Sequence, residues 1–160
     1  MPPADNSTTD SMALLQHLAL ERISPQWSSF LVLLGSELSS QLSDDELRQL
    51  LFRLGSRFAE AYPLGACADV TALEAAFNQV WSRIQWGYAS VSDLGRHLQV
   101  THRACPLPAA LQVTSDVAGG FLQGVYSGWL SAAGAPAELV LIQQPASGLP
   151  MHMVFELTAR

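Results

Sequence analysis

Residues 83–94 read RIQWGYASVSDL, and the fold turns on how this stretch is divided. Up to Ile84 the apolar residues Leu73, Phe77, Val80, Trp81 and Ile84 recur at helical spacing, with Asp69 or Thr71 placed to open the helix. From Trp86-Gly87-Tyr88 onward the period drops to two. WGYASVSDL at 86–94 and HLQVTHRAC at 97–105 both alternate as strands do, and Gly95-Arg96 between them reads as a hairpin turn. The change of period predicts a helical first half and a second half built on strand pairs.

Working toward the N-terminus, three more helices are expected. LRQLLFRLGSRFAEAY at 47–62 carries Leu47, Leu50, Leu51, Leu54 and Phe58 on one stripe, with Arg48, Arg53 and Arg57 off it. SDDE at 43–46 just before it is a capping box: Ser43 and Glu46 can each satisfy the other's backbone N–H. Ser24-Pro25 stops one helix, which starts at Asp10 or Ser11 and carries Leu14, Leu15, Leu18 and Leu20. It then opens another that runs to about Leu42 with Trp27, Phe30, Leu31, Leu34 and Leu38. Residues 1–10 read as a flexible tail and residues 11–160 as a single domain.

Toward the C-terminus, CPLP at 105–108 ends the first hairpin, because proline lacks the N–H that a ladder needs. Residues 115–133 form a fifth helix, with Ser115 or Asp116 as its cap and Val117, Phe121, Val125 and Trp129 as its seam. Gly120, Gly124 and Gly128 also fall four apart on it. Each costs about 1 kcal/mol against alanine in a helix interior, so three in line predict a close backbone approach by the sheet or a partner helix. ELVLIQQ, a PASGLP turn and MHMVFEL make a second hairpin. The expected architecture is therefore α+β: a helical N-terminal half, then two antiparallel hairpins flanking a helix, giving a four-stranded antiparallel sheet.

Composition narrows the function. The chain has 160 residues, 49% hydrophobic and only 14% charged, against about a quarter charged in ordinary soluble domains. So few charges leave much of the surface neutral or apolar and favour self-association. Net charge is −6 with no lysine and eight scattered arginines, which argues against nucleic acid and against an anionic membrane surface. No apolar run approaches the ~20 residues of a membrane span. No basic-then-apolar leader is visible, so Cys67 and Cys105 are expected as free thiols in a cytoplasmic protein, with the periplasm as the alternative.

Catalytic and metal signatures do not assemble. On a regular strand His97 and Cys105 face away from His102, and no fourth zinc ligand is evident. GVYSG at 124–128 has its serine one place too late for a nucleophile elbow and sits inside a helix. There is no P-loop and no dinucleotide fingerprint. The expectation is no enzyme, no cofactor and no metal. Trp86 and Tyr88 project to the same side of their strand. They could stack on a sugar ring or pack on the helix at 115–133, where Tyr126 and Trp129 lie, and core packing is the commoner fate.

NQVWSRIQWGYASVSDL resembles the helix-to-strand joint of the D-subunit (BcsD) family of bacterial cellulose synthase, and FLQGVYSGWL at 121–130 resembles that family's late helix. FLVLLGSEL and LGSRFAEAYPL resemble its earlier helices, so that the resemblance covers residues 27–157 in order and spacing. It implies a non-catalytic accessory subunit of cellulose biosynthesis: a ring-like homo-octamer, a tetramer of dimers, that helps arrange synthase complexes for crystalline glucan export. Its implied partners are copies of itself, other cellulose synthase proteins and glucan chains. Leu14, Leu18, Gly120, Gly124 and Gly128 are the expected subunit contacts, with ordinary packing within the chain as their alternative. The rival reading is a small-molecule-binding regulatory domain, which should hold an apolar pocket of roughly 300–1,000 Å³.

Overall fold

The computed structural model describes residues 6–146 and 151–160. The chain runs α1 (Asn6–Glu21), α2 (Pro25–Gln41), α3 (Asp44–Ala61), α4 (Val70–Ile84), β1 (Tyr88–Asp93), β2 (Leu98–Arg103), α5 (Leu107–Leu111), α6 (Ser115–Ala132), β3 (Leu139–Gln143) and β4 (His152–Ala159). The four strands form one antiparallel sheet in the order β1-β2-β4-β3, so the two hairpins are joined through β2 and β4. The fold is α+β, as the change of period predicts.

Helix ends follow local chemistry closely. Ser43 Oγ accepts from the Glu46 N–H, and the Glu46 carboxylate accepts from the Ser43 N–H at 2.9 Å. The Ser43 N–H and, after it, the Ser43 hydroxyl, which also donates to the carboxylate at 2.9 Å, hold the Glu46 carboxyl below its ordinary range. Asp69 caps α4 through the Ala72 N–H at 2.7 Å. Several elements differ from expectation, among them β1, which begins at Tyr88 rather than at Trp86. Helix α1 starts at Asn6 rather than at Asp10 or Ser11; of the stretch read as a tail, residues 1–5 lie outside the described residues. Helix α6 is capped by Thr114, whose hydroxyl accepts from the Val117 N–H, and not by Ser115 or Asp116. CPLP ends β2 as expected but also launches the short helix α5, since a proline lacking its N–H is at home in a first helical turn. Within the PASGLP turn, residues 147–150 lie outside the described residues.

The core forms where α6 crosses beneath the sheet. Val117, Phe121, Val125 and Trp129 are buried as the seam predicts, together with Leu122, Tyr126 and Leu130. From the sheet come Ala89, Val100, His102, Leu141, Met153 and Phe155, and from α3 and α4 come Leu47, Leu51, Phe77 and Trp81. Every second residue of a strand shares one face, so His102 opposite Met153 and Val100 opposite Phe155 lie in the same inward layer.

The glycine line on α6 meets α3. A Cβ at Gly124 would overlap the Phe52 carbonyl, one at Gly120 would come within 2.5 Å of the Arg48 carbonyl oxygen, and one at Gly128 within 2.7 Å of the Ala59 Cβ. Gly55 of α3 returns the fit, since a Cβ there would overlap the Phe121 carbonyl. Contacts advance in the same sense along both helices, so α3 and α6 run parallel with their backbones pressed together. The close approach is as predicted, and its partner is a helix of the same chain.

Candidate functional site

The helix-to-strand joint is built by two left-handed residues. Gln85 (φ 57°) ends α4, with its own N–H bonded to the Ser82 carbonyl and the Trp86 N–H bonded to the Trp81 carbonyl, the paired bonds of a Schellman turn. Gly87 (φ 82°) follows, and a Cβ there would overlap the Arg103 carbonyl, so only glycine fits. This kink breaks the alternation that would have put Trp86 and Tyr88 on one side. Trp86 turns inward and stacks on Trp81 (centroids 6.4 Å apart, planes 8° apart) and against Phe121 at 5.3 Å. Tyr88 stays outside, with the Arg103 guanidinium 5.9 Å from its ring centroid. The two rings do not form one stacking platform. Of the α6 aromatics, the one that receives Trp86 is Phe121.

Below the joint lies a closed polar chain in an aromatic setting. Trp81 Nε1–H donates to Tyr126 Oη at 3.0 Å, and Tyr126 Oη lies 2.6 Å from His102 Nδ1. His102 Nε2 lies 2.8 Å from the Trp86 carbonyl oxygen. A carbonyl can only accept, so Nε2 carries the proton, Nδ1 is bare, and the Tyr126 hydroxyl donates to it. Burial lowers the His102 imidazole from 6.5 to about 4, against the opposing pull of the Trp86 carbonyl. The Tyr126 hydroxyl is pushed well above its ordinary range by burial, and the Cys105 thiol up to about 12. The network is neutral and complete: both ring nitrogens of His102 are engaged, so neither is available to a metal. His97 projects from the far end of the hairpin, 3.7 Å from Glu156, while Cys105 is fully buried, so the three candidate ligands do not converge. Among the described residues no group of three or more His, Cys, Asp or Glu side chains could hold a metal ion.

A second polar group was not legible in the sequence. Arg48, read as lying off the stripe of α3, is half-buried. It donates to Gln143 Oε1 at 2.8 Å, to Gln123 Oε1 and to the Asp116 carbonyl. Gln123 in turn donates to the Leu141 carbonyl at 2.7 Å, and Gln143 to the Ser115 carbonyl at 3.2 Å. One guanidinium thus ties α3, α6 and β3 through neutral acceptors, which is a brace and not an acid–base pair.

The edge of the sheet at β1 is closed by side chains of α4. Asn78 donates to the Ala89 carbonyl at 2.8 Å and accepts from the Ala89 N–H at 2.7 Å, while Glu74 accepts from the Val91 N–H at 2.7 Å. These groups stand in for a neighbouring strand and remove a template for edge pairing.

The surface is unusual on α1 and α2. Leu14, Leu15 and Leu18 on α1, and Trp27, Phe30, Leu33 and Leu34 on α2, are all exposed; Trp27 is 58% and Leu33 69% accessible. Trp27 and Phe30 meet edge to face at 6.0 Å. Residues 11–41 contain only three formal charges, Glu21, Arg22 and Glu37. Of the expected subunit contacts, Leu14 and Leu18 therefore lie on open surface, whereas Gly120 and Gly124 are buried against α3 and Gly128 packs on Ala59. Sequence pattern read Trp27, Phe30 and Leu34 only as the apolar face of a helix; what it missed is that no described part of this chain covers them.

These features define a class: an α+β domain with a neutral aromatic interior and an uncovered apolar helix pair. No helix among the described residues is long and apolar enough to cross a membrane. The chain belongs to the cellulose synthase D-subunit family, whose model matches residues 13–156, so α1 from Ala13 onward, which lies outside the stretch of resemblance at 27–157, falls within the family pattern. That membership assigns the chain a role in cellulose synthesis. No curated protein sequence matches it. Among solved structures, a trafficking protein particle complex subunit 3 from Naegleria fowleri, covalently bound to palmitic acid, is 13% identical. That match covers 83% of this chain and 95% of that one, with a TM-score of 0.49.

Proposed function

We propose that the protein is a non-catalytic scaffold subunit of cellulose synthesis that works as a homo-oligomer. In this reading residues 11–160 act as one domain, and copies assemble into the ring of eight that the family resemblance implies, holding synthase complexes in order as glucan is exported. The observation that carries it is the row of exposed leucines and aromatics on α1 and α2. Water-facing apolar area of this kind is normally covered by a partner. A chain with so few charged residues has little else with which to attract one, and the subunit contacts are Leu14, Leu18, Trp27 and Phe30. Cellulose-system proteins are the further partners, the setting is cytoplasmic, and Tyr88 beside Arg103 is the aromatic side chain open to a passing sugar ring.

Light scattering on the purified chain tests this directly. Assembly gives a mass near eight times 17.3 kDa, and Trp27→Ser with Phe30→Ser lowers it without lowering helix content. A monomer that persists at micromolar concentration refutes the reading. A second reading, a small-molecule-binding regulatory domain, has one observation in its favour: an apolar cavity of about 310 Å³ beside Trp86, within the range of ligand pockets.

A further inference from the structure

Four elements meet at a corner that no described side chain fills. The turn between α1 and α2 brings Ile23, α2 brings Leu31, the end of α4 brings Ile84 and Trp86, and α5 brings Leu107 and Ala110. They enclose about 310 Å³. A water-sized group occupies about 30 Å³, so the space takes roughly ten non-hydrogen atoms. The Trp86 wall is fixed in advance. Trp86 is stacked on Trp81, its carbonyl is held by His102, and the left-handed residues Gln85 and Gly87 lock the chain on either side of it. Among the described residues Arg22 is the one charged residue in the lining, and it is exposed, which puts its guanidinium at the solvent rim. No carboxylate among the described residues pairs with it.

We propose that this cavity binds a small anionic amphiphile, a medium-chain carboxylate in class, with its alkyl chain on Trp86, Ile84 and Leu107 and its head group on Arg22. An apolar interior with a single cation at the mouth selects for that chemistry. A sugar would leave its hydroxyls unpaired against Ile23, Leu31 and Leu107, and a cationic amphiphile would meet Arg22 with like charge. The inference does not depend on the scaffold reading, because the cavity lies within one chain.

The test is isothermal titration of the full chain, in whatever assembly it adopts, with decanoate, decanol and decyltrimethylammonium. Decanoate binds saturably at one per chain, perturbs tryptophan fluorescence, and is preferred over both analogues. Arg22→Gln weakens decanoate about two- to fivefold, the range of a solvent-exposed ion pair, and leaves decanol unchanged. Leu107→Trp fills the cavity and abolishes binding of both while light-scattering mass stays the same; if that variant melts early, Leu31→Phe serves instead. Absence of saturable decanoate binding, undiminished binding by the filled variants, or indifference of decanoate to Arg22→Gln overturns the proposal. Loss of assembly on filling the cavity, without decanoate binding to the parent, overturns it too and makes the corner a contact between copies. Cosedimentation with phosphatidylglycerol vesicles, lost in Leu107→Trp, would identify a bilayer as the source of the chain; binding of free decanoate alone identifies solution.

Discussion

Acid should destabilise this protein through one buried histidine, in a window its surroundings set. The folded chain holds His102 neutral, with Nδ1 accepting from Tyr126 and Nε2 donating to the Trp86 carbonyl. A second proton would turn Nδ1 into a donor facing a hydroxyl that already accepts from Trp81. Unfolding returns the imidazole to water, where it titrates near 6.5; in the fold it titrates near 4. Between those values the unfolded chain binds the extra proton and the folded chain does not, so falling pH favours unfolding. The contribution is complete above pH 6.5, declines as pH drops, and is gone below about 4. A fall from 6.5 to about 4, at 1.36 kcal/mol per pH unit, amounts to about 3 kcal/mol. Urea titrations followed by tryptophan fluorescence at steps from pH 7.5 to 4.5 measure it, with His102→Gln as the comparison. Glutamine can still donate to Trp86 and accept from Tyr126 but cannot titrate. Other histidines and the carboxylates act equally in both proteins, so the difference in slope belongs to His102. Parallel slopes for the two proteins across pH 6.5–4.5 would refute the neutral-histidine network.

Three further outcomes follow from the packing. Gly124→Ala drives a methyl into the Phe52 carbonyl and should cost about 1–3 kcal/mol, lowering Tm by several degrees, whereas Gly65→Ala, with nothing within 4 Å, should melt as the parent does. Asn78→Ala strips both partners from Ala89 and should cost about 2 kcal/mol in urea, with concentration-dependent aggregation as the β1 edge opens. A disulfide reagent such as dithionitrobenzoate should titrate one thiol per native chain, Cys67; Cys105, fully buried with its thiol pushed up to about 12, should react only in denaturant.

Sequence alone determined what depends on neighbours along the chain. The capping box at Ser43 and Glu46, the Asp69 cap, the seam of α6 and the alternation of β1 and β2 are each readable because a period or a cap needs only residues a few places apart. Even the tight approach along Gly120, Gly124 and Gly128 was legible, since glycines in line have no local reason to sit in a helix. Tertiary structure decided everything that depends on what arrives from elsewhere. It chose α3 to fill the glycine line, sent Trp86 inward and Tyr88 outward at a kink of two left-handed residues, and closed His102 with Tyr126 and Trp86. It also turned Arg48 into a brace. It left Trp27, Phe30 and Leu33 facing water, because an apolar stripe specifies that a helix must be covered and says nothing of which surface, in this chain or another, will cover it.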